Sequence, residues 1–166
     1  MKLLLSTLFL VFAQLLFAQN NRSILKKYSK EVQKIIYSET KSFRGFNFGD
    51  SREEIKSQEV LKIHSESDSV LTYTLQIDAD DTADLIYYFD STGKIKSFAI
   101  IFILGDEKEE QILKEQLTKY YNEKYGIFTV INQEDELWDS KLGHVIEMRD
   151  TSDEAGMEIE ILYYLP

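Results

Sequence analysis

Residues 84–104 read DLIYYFDSTGKIKSFAIIFIL, two apolar runs on either side of a polar turn at residues 90–94. A short turn of this kind, with Gly93 available for a positive φ, joins neighbouring antiparallel strands. The second run is apolar at nearly every position from Phe98 onward, which is typical of a strand that is covered on both faces. We therefore predict a β-hairpin whose second strand, residues 95–104, lies at the centre of a largely antiparallel sheet with a helix over one face.

The segments around this hairpin also carry strand and helix patterns. Apolar and polar residues alternate over residues 70–77, which predicts a half-buried strand. A capping box that begins at Asp106 predicts a long helix to about Tyr125, where Gly126 stops it. Further strands are predicted after this helix at residues 127–131, around Leu137 and Trp138, at residues 142–149 and at residues 157–165.

Residues 43–59, FRGFNFGDSREEIKSQE, combine three phenylalanines, a Gly-Asp-Ser corner and the start of an acidic helix. Two overlapping capping boxes are present there, Asp50 with Glu53 and Ser51 with Glu54. Either box satisfies backbone N–H groups at a helix start, so this segment predicts a short helix that follows an aromatic strand.

The Gly-Asp-Ser corner resembles the block that carries the nucleophilic serine of the SGNH esterases. That family also has a Gly-x-Asn-Asp block and an Asp-x-x-His block that supplies the catalytic acid and base. This chain has neither block. It contains no Asn-Asp pair, and Leu61 and Lys141, not aspartates, stand three positions before its two histidines, His64 and His144. A serine without a base within hydrogen-bond distance is a weak nucleophile. We therefore interpret Ser51 as a helix cap.

The first eighteen residues have the composition of an export signal. Lys2 precedes an apolar run at positions 3–17, and Ala18 supplies a small residue at the expected cleavage point. The run is shorter than the roughly 20 residues that a membrane-spanning helix needs. We predict a signal peptide at residues 1–18 and export to the periplasm or to the outside of the cell; an uncleaved N-terminal anchor is the alternative.

Residues 19–42 are predicted to contain an amphipathic helix that Ser23 caps and that ends near Ser38. We expect its apolar stripe to pack on the sheet of the same domain, because core packing is the usual role of such a stripe. Docking on a partner or on a membrane surface is the alternative. The stripe consists of Leu25, Tyr28, Val32, Ile35 and Ile36.

Composition limits both the class and the partners of the chain. Residues 1–18 contain one of the 19 basic residues, so the remaining 18 basic and 29 acidic residues give a net charge of −11. Such a surface is a poor partner for nucleic acid and anionic lipid, and it indicates either solubility alone or a basic partner. The chain has no cysteine, which excludes disulfides and thiol catalysis. A single domain at residues 43–166 must therefore be stabilised by its core.

Four aspartates at Asp78, Asp80, Asp81 and Asp84 resemble a calcium-binding loop at first sight. An EF-hand frame that starts at Asp78 places Ala83 at the sixth position, where glycine is required. We interpret these carboxylates as ordinary turn residues between two strands, with weak, adventitious Ca²⁺ binding as the alternative, and we expect no dedicated metal site and no cofactor.

Three aromatic residues in the last third of the chain are candidate binding residues, because aromatic side chains are enriched where proteins contact one another. They are Trp138, Tyr163 and Tyr164. For Trp138, which lies among acidic residues, the alternative is a strand residue that packs in the core.

The segment Gly49-Asp50-Ser51-x-x-Glu54-Ile55 resembles the Gly-x-Ser/Thr-x-x-Glu-Val helix start of small bacterial envelope proteins of the SmpA/OmlA (BamE-like) group. In that group a helix leads into three antiparallel strands, although this chain lacks the group's lipid-bearing cysteine. A helix followed by strands occurs twice, over about residues 43–104 and 105–166, and this doubled pattern is similar to the arrangement of the β-lactamase inhibitory protein. The resemblance implies a binding or assembly role. Two such units side by side predict an α+β fold, a largely antiparallel sheet with helices packed on it.

Three functional hypotheses follow, in order of preference. The first is an exported, non-enzymatic module that binds another protein through an exposed sheet face, because a sheet rich in Tyr and Phe occurs without a complete catalytic constellation. The second is a small-molecule or lipid carrier with an apolar pocket between helix and sheet, lined by Phe98, Phe102, Tyr87 and Tyr121. The third is a serine hydrolase that uses Ser51.

Overall fold

The computed structural model describes residues 23–132, 135–154 and 156–166, so that the predicted signal peptide lies outside the described residues. In these ranges the chain forms three α-helices, named α1 (Lys30–Ile36), α2 (Arg52–Gln58) and α3 (Glu107–Tyr125), and a 3₁₀ turn at Ile24–Lys27. The strands are β1 (Ile63–Glu66), β2 (Val70–Gln76), β3 (Thr82–Phe89), β4 (Ile95–Leu104), β5 (Thr129–Ile131), β6 (Asp135–Asp139), β7 (Val145–Asp150) and β8 (Met157–Tyr164).

The eight strands form one antiparallel sheet in the order β1-β2-β3-β4-β8-β7-β6-β5. β4 and β8 occupy the two central positions, as the apolar sequence of residues 95–104 predicts. α2 is followed by the meander β1 to β4 and α3 by the meander β5 to β8, and the two meanders join where β4 pairs with β8. The predicted α+β fold, with helices packed on a largely antiparallel sheet, is confirmed.

The register divides the side chains of the sheet between two faces. On one face Phe98 of β4 lies between Tyr87 of β3 and Tyr163 of β8, and Ile100 follows on the same side. This side, which we call the covered face, forms one core with the helices. The helical residues in that core are Val32, Ile35, Ile36, Ile55, Leu113, Leu117, Tyr120 and Tyr121.

The segment that was expected to form one amphipathic helix, within residues 19–42, contains two shorter elements. Tyr28 is extended, and Ser29 begins α1 by accepting a hydrogen bond from the backbone N–H of Val32 at 3.4 Å. Ser23 makes no capping hydrogen bond, so the predicted cap is wrong and the true cap lies six positions later. The predicted packing is confirmed, because the apolar residues of the stripe join the core or pack against it.

The corner before α2 uses one of its two predicted capping boxes. The Ser51 hydroxyl accepts a hydrogen bond from the backbone N–H of Glu54 at 3.3 Å and caps the helix as predicted. Asp50 does not cap it, because its carboxylate accepts a hydrogen bond from the backbone N–H of Asn47 at 2.8 Å and closes the preceding turn. Glu53 is exposed in the first turn of α2.

Backbone hydrogen bonds hold this corner against the start of β4. The N–H of Gly49 donates to the carbonyl of Ile95 at 2.9 Å, and the N–H of Ile95 donates to the carbonyl of Asp50 at 3.0 Å. Gly49 has a φ of 85°, a conformation that glycine adopts without steric cost. The Gly-Asp-Ser corner therefore positions α2 on the sheet.

A buried ion pair links α1, α2 and the covered face. Arg44 donates to the carbonyls of Lys34 and Ile35 at the end of α1, at 2.6 and 2.8 Å. Its guanidinium also contacts the Glu59 carboxylate at 3.2 Å, and the Tyr87 hydroxyl donates to the same carboxylate at 3.0 Å. Both charged side chains are almost fully buried, which requires this complete set of partners.

α3 begins and ends where the sequence predicts. Asp106 accepts a hydrogen bond from the backbone N–H of Glu109 at 2.9 Å, and Gly126 follows the helix with a φ of 103°. Among the described residues, no helix combines the length and the apolar character needed to cross a membrane.

Candidate functional site

The second face of the sheet, which we call the open face, carries the alternate residues of each strand. Register aligns Ile86, Ala99, Leu162, Glu147 and Leu137 in one row across β3, β4, β8, β7 and β6. α1, α2 and α3 all contribute to the core of the covered face, and Ile86 and Ala99 are buried outside that core. The open face is therefore a second surface of the sheet, distinct from the core, and four of the five side chains in this row are apolar.

The open face divides into two halves at the boundary between β4 and β8. The half formed by β2, β3 and β4 carries one charged side chain, Asp84, which accepts a hydrogen bond from the Thr74 hydroxyl at 2.6 Å. The other residues that the strand pairing places on this half are uncharged, and we call it the neutral half; the exposed Lys96 lies at the bulge of β4, outside this pairing. The uncharged residues include Val70, Thr72, Ile86, Tyr88, Ala99, Ile101 and Ile103.

The half formed by β8, β7 and β6 carries five carboxylates and one basic side chain, and we call it the acidic half. Its basic residue is Arg149, which bonds Glu147 at 2.6 Å and lies 3.7 Å from Glu160. The Tyr164 hydroxyl donates to Glu147 at 3.1 Å. The five carboxylates are Asp135, Asp139, Glu147, Glu158 and Glu160.

Two ionisable groups on the open face show the effect of partial burial. Burial raises the pKa of the Glu160 carboxyl, the charges of Glu158 and Glu147 raise it further, and Arg149 opposes the shift. Burial also raises the pKa of the Tyr88 phenol, with a smaller contribution from Glu160. The centre of the open face is therefore already partly desolvated.

The three aromatic residues predicted to bind a partner lie on different faces. Trp138 is 1% exposed on the covered face, where its indole N–H donates to the Asn122 side chain at 2.9 Å. Tyr163 is also buried there and hydrogen-bonds Tyr121, whereas Tyr164 is half-buried on the open face. Core packing, the alternative for Trp138, is what the structure shows. Of the three, only Tyr164 lies on a surface that a partner can reach.

The residues expected to line an apolar pocket form a closed core. Phe98, Phe102, Tyr87 and Tyr121 each have 0% accessible surface. Zero accessible surface means that not even a water molecule fits beside these side chains, so they line no pocket in this conformation. A groove of about 560 Å³ lies elsewhere, between α3 and β6, and its walls carry polar and charged side chains such as Lys114, Glu115 and Glu136.

Neither histidine lies in an accessible catalytic arrangement. His144 is 1% exposed, and its Nδ1 hydrogen-bonds the Ser140 hydroxyl at 3.0 Å. Burial lowers the pKa of His144, and the charge of Lys124 lowers it further. His64 is exposed on the edge strand β1, while the Ser51 hydroxyl is occupied as a cap. The buried Ser140–His144 pair has no access for a substrate.

Glu109 of α3 lies beside the acidic turn between β2 and β3 and adds a carboxylate that the local sequence of the turn does not predict. Asp78, Asp81 and Glu109 place carboxylate oxygens within 4.8 Å of one another. The Asp78 carboxylate accepts the backbone N–H groups of Asp80 and Asp81 at 3.1 and 3.0 Å, and Asp81 accepts the N–H of Gly105 at 2.8 Å. These bonds support the interpretation of Asp78 and Asp81 as turn residues.

Comparisons with known proteins add no relative to this description. No protein-family model, no curated protein and no solved structure matches the chain. The likeness to the SmpA/OmlA group therefore rests on the helix-start segment at residues 49–55.

Proposed function

We propose that this chain is an exported, non-enzymatic module that binds another protein through the open face of its sheet. One observation carries the proposal: all three described helices pack on one face of an eight-stranded sheet, and the opposite face carries a row across five strands in which four of the five side chains are apolar. A large apolar surface outside the core is typical of an interaction site.

The dimensions of the open face suit a protein partner. At about 4.8 Å between strands and 3.3 Å per residue, β2 to β6 span roughly 29 by 23 Å, or about 700 Å². A stable protein–protein interface buries about 800 Å² on each partner. The open face is thus close to the usual footprint, and it is a sheet surface instead of the enclosed cavity that a small molecule prefers.

The side chains at the centre of the open face are suited to binding at low entropic cost. Ile86, Ile101 and Ile103 are β-branched and have few rotamers to lose on contact with a partner. Tyr88 and Tyr164 lie in the next row, at either side of Ser97. Tyrosine is enriched among the residues that dominate binding energy, so this row supplies the expected anchors.

Site-specific photocrosslinking in the cell envelope tests the proposal. A photoreactive amino acid replaces Ile103 on the open face, and in a matched control it replaces Ile112 on α3; the two residues are 49% and 46% exposed. We expect one protein to be crosslinked from position 103 and not from position 112. Identical crosslinking profiles from the two positions would show that the open face has no dedicated partner.

A further inference from the structure

We infer that the protein bound by the open face is basic at its contact surface, with Lys or Arg side chains beside an apolar patch. This inference rests on the proposed function and adds the chemistry of the partner. It is carried by the unequal distribution of charge over the open face, where a mainly apolar surface with one carboxylate, Asp84, lies beside a surface with five carboxylates.

The acidic half has more negative charge than its own residues neutralise. Its five carboxylates face a single guanidinium, that of Arg149, and Glu147 takes the shorter of the contacts that this group makes. Glu160 receives only the longer contact, at 3.7 Å. Glu158 is hydrogen-bonded by the Thr151 hydroxyl at 2.8 Å, which leaves its negative charge in place.

A cation from a partner would be stabilised at this position. Glu160 is half-buried between neighbouring carboxylates, and the raised pKa described above shows that its charged form is disfavoured. An added ammonium or guanidinium group near Glu158 and Glu160 would favour their charged forms, and charge-assisted hydrogen bonds are about twice as strong as neutral ones. An acidic or neutral partner would instead bury these carboxylates without compensation.

Position and charge together define the partner's surface. Ile101 and Glu160 are directly paired across the boundary between β4 and β8, and Ile103 and Glu158 are the next pair on the same face. Adjacent strands lie about 4.8 Å apart. A complementary surface therefore carries apolar side chains within roughly 5 to 10 Å of its lysines or arginines, the distance of one or two strands.

A second copy of this chain does not provide such a surface. If two open faces met, the acidic half of one copy would face either the acidic half of the other or its neutral half. The first arrangement opposes like charges, and the second buries carboxylates against Ile101 and Ile103. The charge pattern therefore favours a different, basic protein.

Three model peptides test the inference by NMR on the exported protein. In each peptide leucine alternates with one other residue, which is lysine in the first peptide, glutamine in the second and glutamate in the third. We expect the lysine peptide to shift the backbone amide signals of Ile101, Glu160 and Leu162. It should bind at least tenfold more tightly than the glutamine peptide, and its affinity should fall as salt is added. The glutamate peptide should leave these amides unchanged.

Matched charge variants separate a local effect from net charge. Glu158→Gln with Glu160→Gln should weaken binding of the lysine peptide several-fold, whereas Glu107→Gln with Glu115→Gln on α3 removes the same charge and should change it little. Three results would each overturn the inference. The two double variants could weaken binding of the lysine peptide equally, or the native chain could bind the lysine and glutamine peptides with equal affinity. Finally, millimolar lysine peptide could leave the backbone amide signals of the open face unshifted. A partner that crosslinks from position 103 but lacks a basic surface would overturn it while the proposed function stands.

Discussion

Adjacent residues of β4 belong to two different environments. Ile100 and Phe102 on the covered face have no accessible surface, whereas Ile101 is half-buried and Ile103 is 49% exposed on the open face. All four side chains are apolar, so hydrophobicity alone does not explain the difference. The helices use the first pair to stabilise the fold and leave the second pair available for contact.

The arginines of the two faces show the same contrast. The Arg44–Glu59 pair under the helices is 2% and 3% exposed and has a partner on every side. Arg149 on the open face is 38% exposed and is shared between Glu147 and Glu160. Charge on the covered face is enclosed by the packing, whereas the guanidinium of Arg149 on the open face stays accessible to solvent.

Loss of Arg44 should have the largest effect on stability. Arg44→Met removes one member of a buried ion pair and leaves Glu59 and two carbonyls at the end of α1 without that donor. We expect a loss of about 3 to 5 kcal/mol in the free energy of unfolding, measured by chemical denaturation. The control Arg149→Met should cost less, about 1 to 3 kcal/mol, because Arg149 is 38% exposed and the buried Glu147 carboxylate keeps the Tyr164 hydroxyl as a donor. Equal losses of unfolding free energy for Arg44→Met and Arg149→Met would contradict the view that the arginine under the helices is more important for stability than the arginine on the open face.

Alanine at two neighbouring positions of β4 should separate stability from binding. Ile100→Ala creates a cavity in the core and is expected to cost about 2 to 5 kcal/mol in the free energy of unfolding. Ile101→Ala should cost less, about 1 kcal/mol, since its side chain is only partly buried and does not belong to the core. It should nevertheless reduce crosslinking from position 103. A destabilised Ile101→Ala protein with unchanged crosslinking would reverse the roles of the two faces.

Tyrosine-to-phenylalanine variants should reveal the hydrogen bonding within the covered face. Tyr121→Phe leaves the buried Tyr163 hydroxyl without its partner and should cost about 1 to 2 kcal/mol in the free energy of unfolding. The Tyr120 hydroxyl is buried and has no hydrogen-bond partner within the described part of the chain. Tyr120→Phe should therefore be neutral or stabilising. A clear loss for Tyr120→Phe in thermal or chemical unfolding would indicate a partner for this hydroxyl.

Two ionisable groups, His144 on the covered face and Glu160 on the open face, should change stability with opposite signs as the pH falls. Burial lowers the pKa of His144 from 6.5, so the unfolded state binds more protons and stability falls as the pH drops below about 6.5. Burial raises the pKa of Glu160 from 4.5, so the folded state binds more protons and stability rises as the pH falls through that raised pKa toward 4.5.

Variants at these two positions isolate each contribution. The free energy of unfolding is measured between pH 7.5 and 4.5. His144→Phe should lose less stability on acidification than the native chain loses through His144, and Glu160→Gln should gain less stability than the native chain gains through Glu160. Parallel profiles for the native chain and His144→Phe would mean that His144 titrates alike in the folded and unfolded states.

The sequence predicts a helix or strand well where its apolar pattern or its capping residues lie within that same short segment. The bounds of β4 follow from one apolar run, and those of α3 from Asp106 and Gly126. β1 is missed because three of its four residues are exposed, so it lacks the alternation that marks β2. The break before α1 is also missed, because Ser29 competes with Ser23 as a cap and only packing decides between them.

The candidate site could be predicted only in part. The alternation of Ile159, Ile161 and Tyr163 is visible in the sequence, and it places Tyr163 and Tyr164 on opposite faces of the strand. The row that joins Ile86 to Leu162 depends on the pairing of β4 with β8, which are far apart in sequence. No local pattern specifies that pairing.

The pairing of β4 with β8 also imposes an order on folding. β8 follows the other seven strands along the chain, yet it completes the middle of the sheet. Until it has been synthesised, β4 has one unpaired edge of ten residues, most of them apolar. Such an edge can recruit other chains, and contacts between distant segments form slowly. We therefore expect a chain that lacks its final strand to associate with its neighbours more readily than the complete chain does.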